Sequence, residues 1–280
     1  MGEHFLTDAE IKKFREHLCE EEKSDNTLEK YIRDVKKFAA YARGDAITKE
    51  MVIAYKKHLQ ENYAVRSVNS MLASINSLFA FLGWHELRVK SLKVQHQIFC
   101  SEKKELTRAE YERLCRAAEK NHNERLSLIL QTICGTGIRV SELRFITVEA
   151  VCKGEVAVSL KGKVRTVFIV QKLQRKLLRY ISAKKIRSGS VFVTRTGRPL
   201  DRTTVWREMK SLCIDAEVNS EKVFPHNLRH LFARVFYGIE KDIAKLADIL
   251  GHSSIDTTRI YIVSTGIEHR RRMEHMRLII

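Results

Sequence analysis

Six side chains in the C-terminal half of this 280-residue chain have the types and spacing for attack on a DNA phosphate by a protein hydroxyl. They lie in four short fragments. Gly135-Thr-Gly-Ile-Arg-Val-Ser-Glu-Leu143 carries Arg139, and Leu160-Lys-Gly-Lys163 carries Lys161. Pro225-His-Asn-Leu-Arg-His230 carries His226 and Arg229. Leu250-Gly-His252 is followed nine residues later by Tyr261. A guanidinium offers a planar fork that fits two phosphate oxygens and stays charged at any working pH. A lysine at a hairpin tip can reach into a groove and hand a proton to a departing oxygen. A tyrosine hydroxyl, with a pKa near 10, is a weak nucleophile and needs a dense positive field around it.

Each fragment alone admits a plainer reading. Pro225 suits the first turn of a helix, which would place His226 and Arg229 on one side of it with no further role. Arg139 could be a surface arginine after a kink, and Lys161 and Lys163 could be charged turn residues that only touch solvent or phosphate. Tyr261, between Ile260 and Ile262, could be core. His226 and His230 stand at i, i+4 and could hold a metal, but there is no glutamate in the H-E-x-x-H position and no cysteine cluster nearby. The six cysteines form no C-x-x-C pair and read as small buried apolar residues. No metal and no cofactor is expected. What separates the chemical reading from the plain one is the order and spacing of all four fragments together.

The elements that must position these residues are mostly helical. Two prolines and 12 glycines are few for this length. Thr7-x-x-Glu10 is a capping box opening a helix to about Glu22, and Asn26-x-x-Glu29 opens a second. In that second helix Leu28, Tyr31, Ile32, Val35, Phe38 and Ala39 make one apolar stripe. A third helix follows Thr48, and a fourth starts near Ser67 with Val68, Leu72, Ile75, Phe79 and Leu82 inward. Residues 1–95 thus form a helical module. Residues 88–105 are polar with little periodicity, and 96–105 are read as the linker. Thr107-x-x-Glu110 restarts regular structure, and residues 106–280 form the second domain. There Leu126, Ile129, Leu130 and Ile133 share a helix face, Gly135-Thr-Gly137 breaks that helix, and a new helix carries Arg139, Glu142 and Leu143. Glu142, on the same face as Arg139, could hold a neighbouring catalytic group. Val156, Val158 and Leu160, then Val167 and Ile169, alternate as a β-hairpin with Lys161 at the mouth of its turn. The fold class is mainly α with a small β-hairpin or sheet in the second domain.

Charge points to the partner. Residues 1–95 hold 16 Lys+Arg against 14 Asp+Glu, and the other 185 hold 35 against 20, so nearly all of the net +17 lies in the second domain. A polyanion is the natural partner, and nucleic acid fits better than membrane because no basic amphipathic anchor is visible. With no apolar run of 18 residues and no N-terminal signal pattern, a soluble cytoplasmic protein is expected.

Read together, the fragments resemble the tyrosine recombinase (phage integrase) family over nearly the whole chain. The strongest matches are Gly135 to Leu143, His226-x-x-Arg229-His230, and Leu250-Gly-His252 with its tyrosine. The resemblance implies a helical core-binding domain, a linker and a catalytic domain. It implies that Tyr261 is the nucleophile, that Arg139 and Arg229 clamp the scissile phosphate, and that Lys161 protonates the leaving 5′ oxygen. His226 would help deprotonate the tyrosine, and His252 would hydrogen-bond the phosphate. It further implies double-stranded DNA recombination sites as substrate and a homo-tetramer on DNA, exchanging strands through a Holliday junction. It also implies prokaryotic or phage origin, with work at the nucleoid. The tail from Ser264 to Ile280 could pack into a neighbouring protomer or onto its own core. Two departures stand out. The hairpin reads Lys161-Gly-Lys-Val-Arg165, about one residue short of the commoner family turn, which leaves Lys163 as an alternative to Lys161. Leu231 stands where threonine is more frequent. A type IB topoisomerase shares this chemistry, and a DNA-binding regulator that has lost catalysis and a metal nuclease are further alternatives.

Overall fold

The computed structural model describes residues 4–93, 105–160, 163–194, 196–262 and 274–276. The chain folds into two compact units, residues 1–96 and 97–280.

The first unit contains α1 (Asp8–Glu20), α2 (Asp25–Ala42), α3 (Lys49–Asn62) and α4 (Val65–Phe81). Thr7 and Glu10 close the expected capping box on α1, and Thr48 caps α3. The second helix begins one residue before Asn26, with Ser24 as N-cap, and α4 begins at Val65 rather than Ser67. The apolar stripes meet as anticipated: Leu28, Ile32, Val35 and Phe38 of α2 are buried, as are Val68, Leu72, Ile75 and Phe79 of α4. The polar stretch after residue 88 is not free chain at its start. Asn76 of α4 exchanges two hydrogen bonds with Val89, whose side chain is buried, and Asn69 does the same with Leu92. Amide side chains satisfy extended backbone here as a neighbouring strand would, so the module extends to Leu92 despite the lack of periodicity.

In the second unit α5 (Arg108–Lys120) is opened by the Thr107–Glu110 capping box and packs on α6 (Glu124–Thr136). A 3₁₀ turn, Val140–Phe145, and α7 (Val148–Lys153) lead into a two-stranded antiparallel sheet, β1 (Glu155–Leu160) and β2 (Lys163–Phe168). Its register pairs Val156 with Val167 and Val158 with Arg165. Side chains alternate across a strand, so Arg165 shares the inward face with the buried Val156, Val158 and Val167. Helices α8 (Gln171–Ala183), α9 (Arg202–Ser211), α10 (Pro225–Glu240), α11 (Ile243–Leu250) and α12 (Ile255–Ile262) complete the unit. One large core runs from Leu106 to Leu231, the latter a buried packing residue. A smaller one joins Ala233, Leu246, Leu250 and Tyr261. Among the described residues no helix is long and apolar enough to cross a membrane.

The glycine pair behaves differently from the sequence expectation. Gly135 is helical and lies inside α6, whereas Gly137 is the left-handed C-cap, with φ +66°. Only the second glycine ends the helix, and the next element is the 3₁₀ turn, with Arg139 as its N-cap, rather than a new α-helix.

Candidate active site

Two helix ends and one helix start converge. At the C-terminus of α6 the Gly137 carbonyl is free of the helix ladder, and at the C-terminus of α11 the Leu250 and Gly251 carbonyls are too. Helix C-termini carry unsatisfied acceptors and the negative end of the helix dipole, so they attract cations. Arg229, buried on the first turns of α10, donates Nη1 to the Gly137 carbonyl and Nη2 to the Leu250 carbonyl at 2.6 Å. Arg139 reaches the Gly251 carbonyl at 3.4 Å with Nη2. The motif glycines are therefore where the chain turns and also where its carbonyls hold the arginines.

Arg229 Nη2 also lies 3.0 Å from His252 Nε2. A guanidinium has no acceptor, so Nε2 must accept and the proton sits on Nδ1, which donates to the Thr258 hydroxyl at 2.8 Å. Thr258 has no exposed surface. The Arg229 Nε is buried without a hydrogen-bond partner among the described residues. Burial and the nearby Arg139 charge lower the Arg229 pKa to about 10, which leaves it a cation at neutral pH.

Tyr261 projects from α12 into a seat of rings. Its hydroxyl is 3.2 Å from His226 Nε2. Its ring lies 4.2 Å from that of His230 and 5.2 Å from that of His252, centroid to centroid. The tyrosine is 5% exposed. All three histidines are held neutral. Desolvation against these rings, then the Arg229, Arg139 and Arg202 charges, lowers the His226 pKa. Burial, then His226 and nearby arginines, brings His230 to about 4, and burial with Arg229, Arg139 and Arg165 brings His252 to about 4. A neutral imidazole beside a phenol can accept its proton.

The acid of the site is Glu142, fully buried. Its carboxylate accepts from the Arg139 backbone N–H at 2.8 Å and from Arg139 Nη1 at 2.9 Å. It also accepts from Arg165 Nη1 at 3.0 Å and Nη2 at 2.7 Å. Burial alone would raise its pKa; the bonds from Arg165 and Arg139 outweigh that and hold it below the usual carboxylate value.

The structure thus brings Arg139, His226, Arg229, His252 and Tyr261 into one cluster. Lys161 lies outside the described residues, as does the side chain of Lys163, so the hairpin tip is not placed. Most of the tail from Ser264 is likewise outside them. No group of three or more His, Cys, Asp or Glu side chains among the described residues could hold a metal ion. Two residues escaped the motif reading. Thr258 orients His252, and no local pattern marks it. Arg165 carried a signal that could have found it: its phase with Val167 and Ile169 puts an arginine on the inward face of a strand.

The chain matches the sequence profile of the Phage integrase family over residues 104–266 and that of the Phage integrase, N-terminal SAM-like domain, over residues 11–86. It is 30% identical to a tyrosine recombinase XerA of Pyrococcus furiosus over 289 aligned positions, covering 100% of this chain and 98% of that protein. It is 31% identical to a tyrosine recombinase XerD of Halalkalibacterium halodurans, covering 90% of this chain and 91% of the relative. Its fold is similar to that of a lambda integrase tetramer bound to a Holliday junction. The TM-score is 0.75 at 17% identity, over 93% of this chain and 78% of that one.

Proposed function

This chain belongs to the phage integrase family, and we propose that it is a site-specific DNA recombinase acting through a covalent link between Tyr261 and DNA. The observation that carries the assignment of the nucleophile is the Tyr261 hydroxyl, 3.2 Å from a neutral His226 and beside the buried Arg229.

Cleavage then proceeds as a transesterification. The Tyr261 oxygen attacks the scissile phosphorus while its proton passes toward His226 Nε2. Charge growing on the nonbridging oxygens is met by Arg139, which has an open face, and by Arg229, whose buried Nε has no hydrogen-bond partner among the described residues. Donors fixed in place before the reaction need no reorganisation when that charge appears. His252 turns to the phosphate with Thr258 behind it; a hydroxyl can donate or accept, so it supports either ring tautomer. The phosphorus–5′-oxygen bond breaks, and that oxygen takes a proton from Lys161, leaving a 3′-phosphotyrosine and a 5′-hydroxyl. Attack by a 5′-hydroxyl reverses the bond changes and frees Tyr261. One phosphoester replaces another at each step, so rejoining needs no ATP.

Residues 106–280 serve as the catalytic domain in this reading, residues 1–95 as the core-binding domain, and 96–105 as the linker. Four protomers engage two double-stranded sites, and the work takes place in the cytoplasm, at the nucleoid. The experiment is adduct trapping. The protein is incubated with a site nicked close to the cleavage position and run on a denaturing gel. Wild type is expected to retain labelled DNA and Tyr261→Phe to lose it completely; an adduct on the Phe variant would overturn the assignment.

A further inference from the structure

Arg165 stands at a junction. It lies 23 positions from Glu142 in sequence, yet its two Nη atoms grip both oxygens of that carboxylate at 3.0 and 2.7 Å. Its stem crosses the face of Gly251: a Cβ at that glycine would meet Arg165 Cδ at 2.7 Å and Nη1 at 2.9 Å. Among the described residues, Glu142 and Gly251 hold the Arg139 guanidinium, one through Nη1 and the other through Nη2. Arg165 is therefore wedged between both supports of Arg139 without touching Arg139 through any hydrogen bond among the described residues. Its side chain is only 15% exposed, against 37% for Arg139, and both its terminal nitrogens are spent on Glu142.

We propose that Arg165 is a positioning residue: a strut between Glu142 and Gly251 that sets the direction of the Arg139 guanidinium and fixes the root of the hairpin to it. The inference rests on Arg139 being a phosphate clamp in the proposed reaction. Charge gives the strut its effect. A buried carboxylate facing a single arginine would draw that arginine fully onto itself, because uncompensated buried charge is costly. With Arg165 present, Glu142 takes two of its four bonds from the Arg165 guanidinium, one from the Arg139 backbone N–H and only one from the Arg139 guanidinium, so Arg139 keeps donors directed outward. The strut also ties β2, at Arg165, to the carboxylate that holds the clamp. Gly251 is required at its position twice over, by a φ of +63° and by the arginine lying across it.

The test is single-turnover adduct formation at saturating nicked DNA between pH 5.5 and 8.5. Variants are Arg165→Met, Arg165→Lys and Glu142→Gln, with each Arg165 variant also combined with Glu142→Gln. Wild-type adduct is the entry condition: its absence sinks the functional reading and this inference with it. Given the adduct, Arg165→Met is expected to slow cleavage on the order of 100-fold, as for a misplaced reacting geometry. Half-saturation by DNA should change little. The loss should deepen toward low pH, since Glu142 without its strut protonates more readily. Arg165→Lys, which keeps the charge and lacks the fork, should recover part of the rate. Glu142→Gln should slow wild type markedly and Arg165→Met much less. Cleavage by Arg165→Met at the wild-type rate would overturn the proposal. So would an equal loss at every pH, or an equal effect of Glu142→Gln in both backgrounds. If Arg165→Met fails to fold, Arg165→Lys with and without Glu142→Gln carries the same comparison.

Discussion

Two alanine substitutions two residues apart should have opposite effects. At Gly137 a Cβ would sit 2.5 and 2.6 Å from ring carbons of Phe232 and 3.1 Å from Leu250 Cδ2, on a backbone with φ +66°. The left-handed conformation costs an L-residue about 1–2 kcal/mol. Forcing a methyl into a packed site adds about 1–3 kcal/mol. Gly137→Ala should therefore lose roughly 2–5 kcal/mol, which for a unit of this size lowers the melting temperature by about 4–20 °C. The damage should reach the chemistry as well, because the Gly137 carbonyl anchors Arg229 Nη1. Gly135 is the internal control. It is helical, and a Cβ there meets only Leu173 Cδ2 at 3.8 Å, an ordinary contact. Gly135→Ala should gain about 0.5–1 kcal/mol by lowering the freedom of the unfolded chain. Thermal melts and adduct rates on the two variants, prepared side by side, decide the matter. The reasoning is refuted if Gly137→Ala melts within a degree of wild type and cleaves normally, or if the two substitutions cost the same.

Thr258→Val keeps the shape of a buried side chain and removes the partner of His252 Nδ1. The loss of a buried hydrogen bond, about 1–3 kcal/mol, should slow cleavage about tenfold or more, and Thr258→Ser should restore most of it in the same adduct assay. Stability should also depend on pH. His230 and His252 have folded pKa values depressed to about 4 from 6.5, so the unfolded chain binds more protons between those limits. Their contribution is fully present above pH 6.5 and drains away as pH falls toward 4. Denaturation midpoints measured across that interval should drop, and His230→Gln should flatten the slope; a flat profile in the parent protein would contradict the buried neutral histidines.

How much was legible beforehand depends on separation along the chain. The helix starts at Thr7, Thr48 and Thr107 were readable because a capping residue and its helix are neighbours. His226 and Arg229 were readable as a pair for the same reason, one turn apart behind Pro225. Gly135 and Gly137 look alike in sequence, and only the packing of Phe232 and Leu250 around the second separates their roles. The tie from Val89 to Asn76 was hidden because amide side chains bonding backbone leave no periodic trace. Arg165 lay between these cases. Its phase on β2 could have announced an inward arginine, but the identity of the carboxylate it meets depends on how the hairpin closes over the turn that begins at Arg139.

Helix α12 is described over Ile255–Ile262. It is pinned by Thr258, locked to His252, and by Tyr261, lodged among the histidine rings. In the proposed reaction those same contacts seat the nucleophile. In that reading, unseating Tyr261 and fraying the segment that bears it are a single event, a local opening rather than unfolding of the whole unit. In the proposed reaction a protomer whose α12 has come loose would hold no attacking hydroxyl near the arginines, and order in this segment would act as a safety catch on breaking DNA.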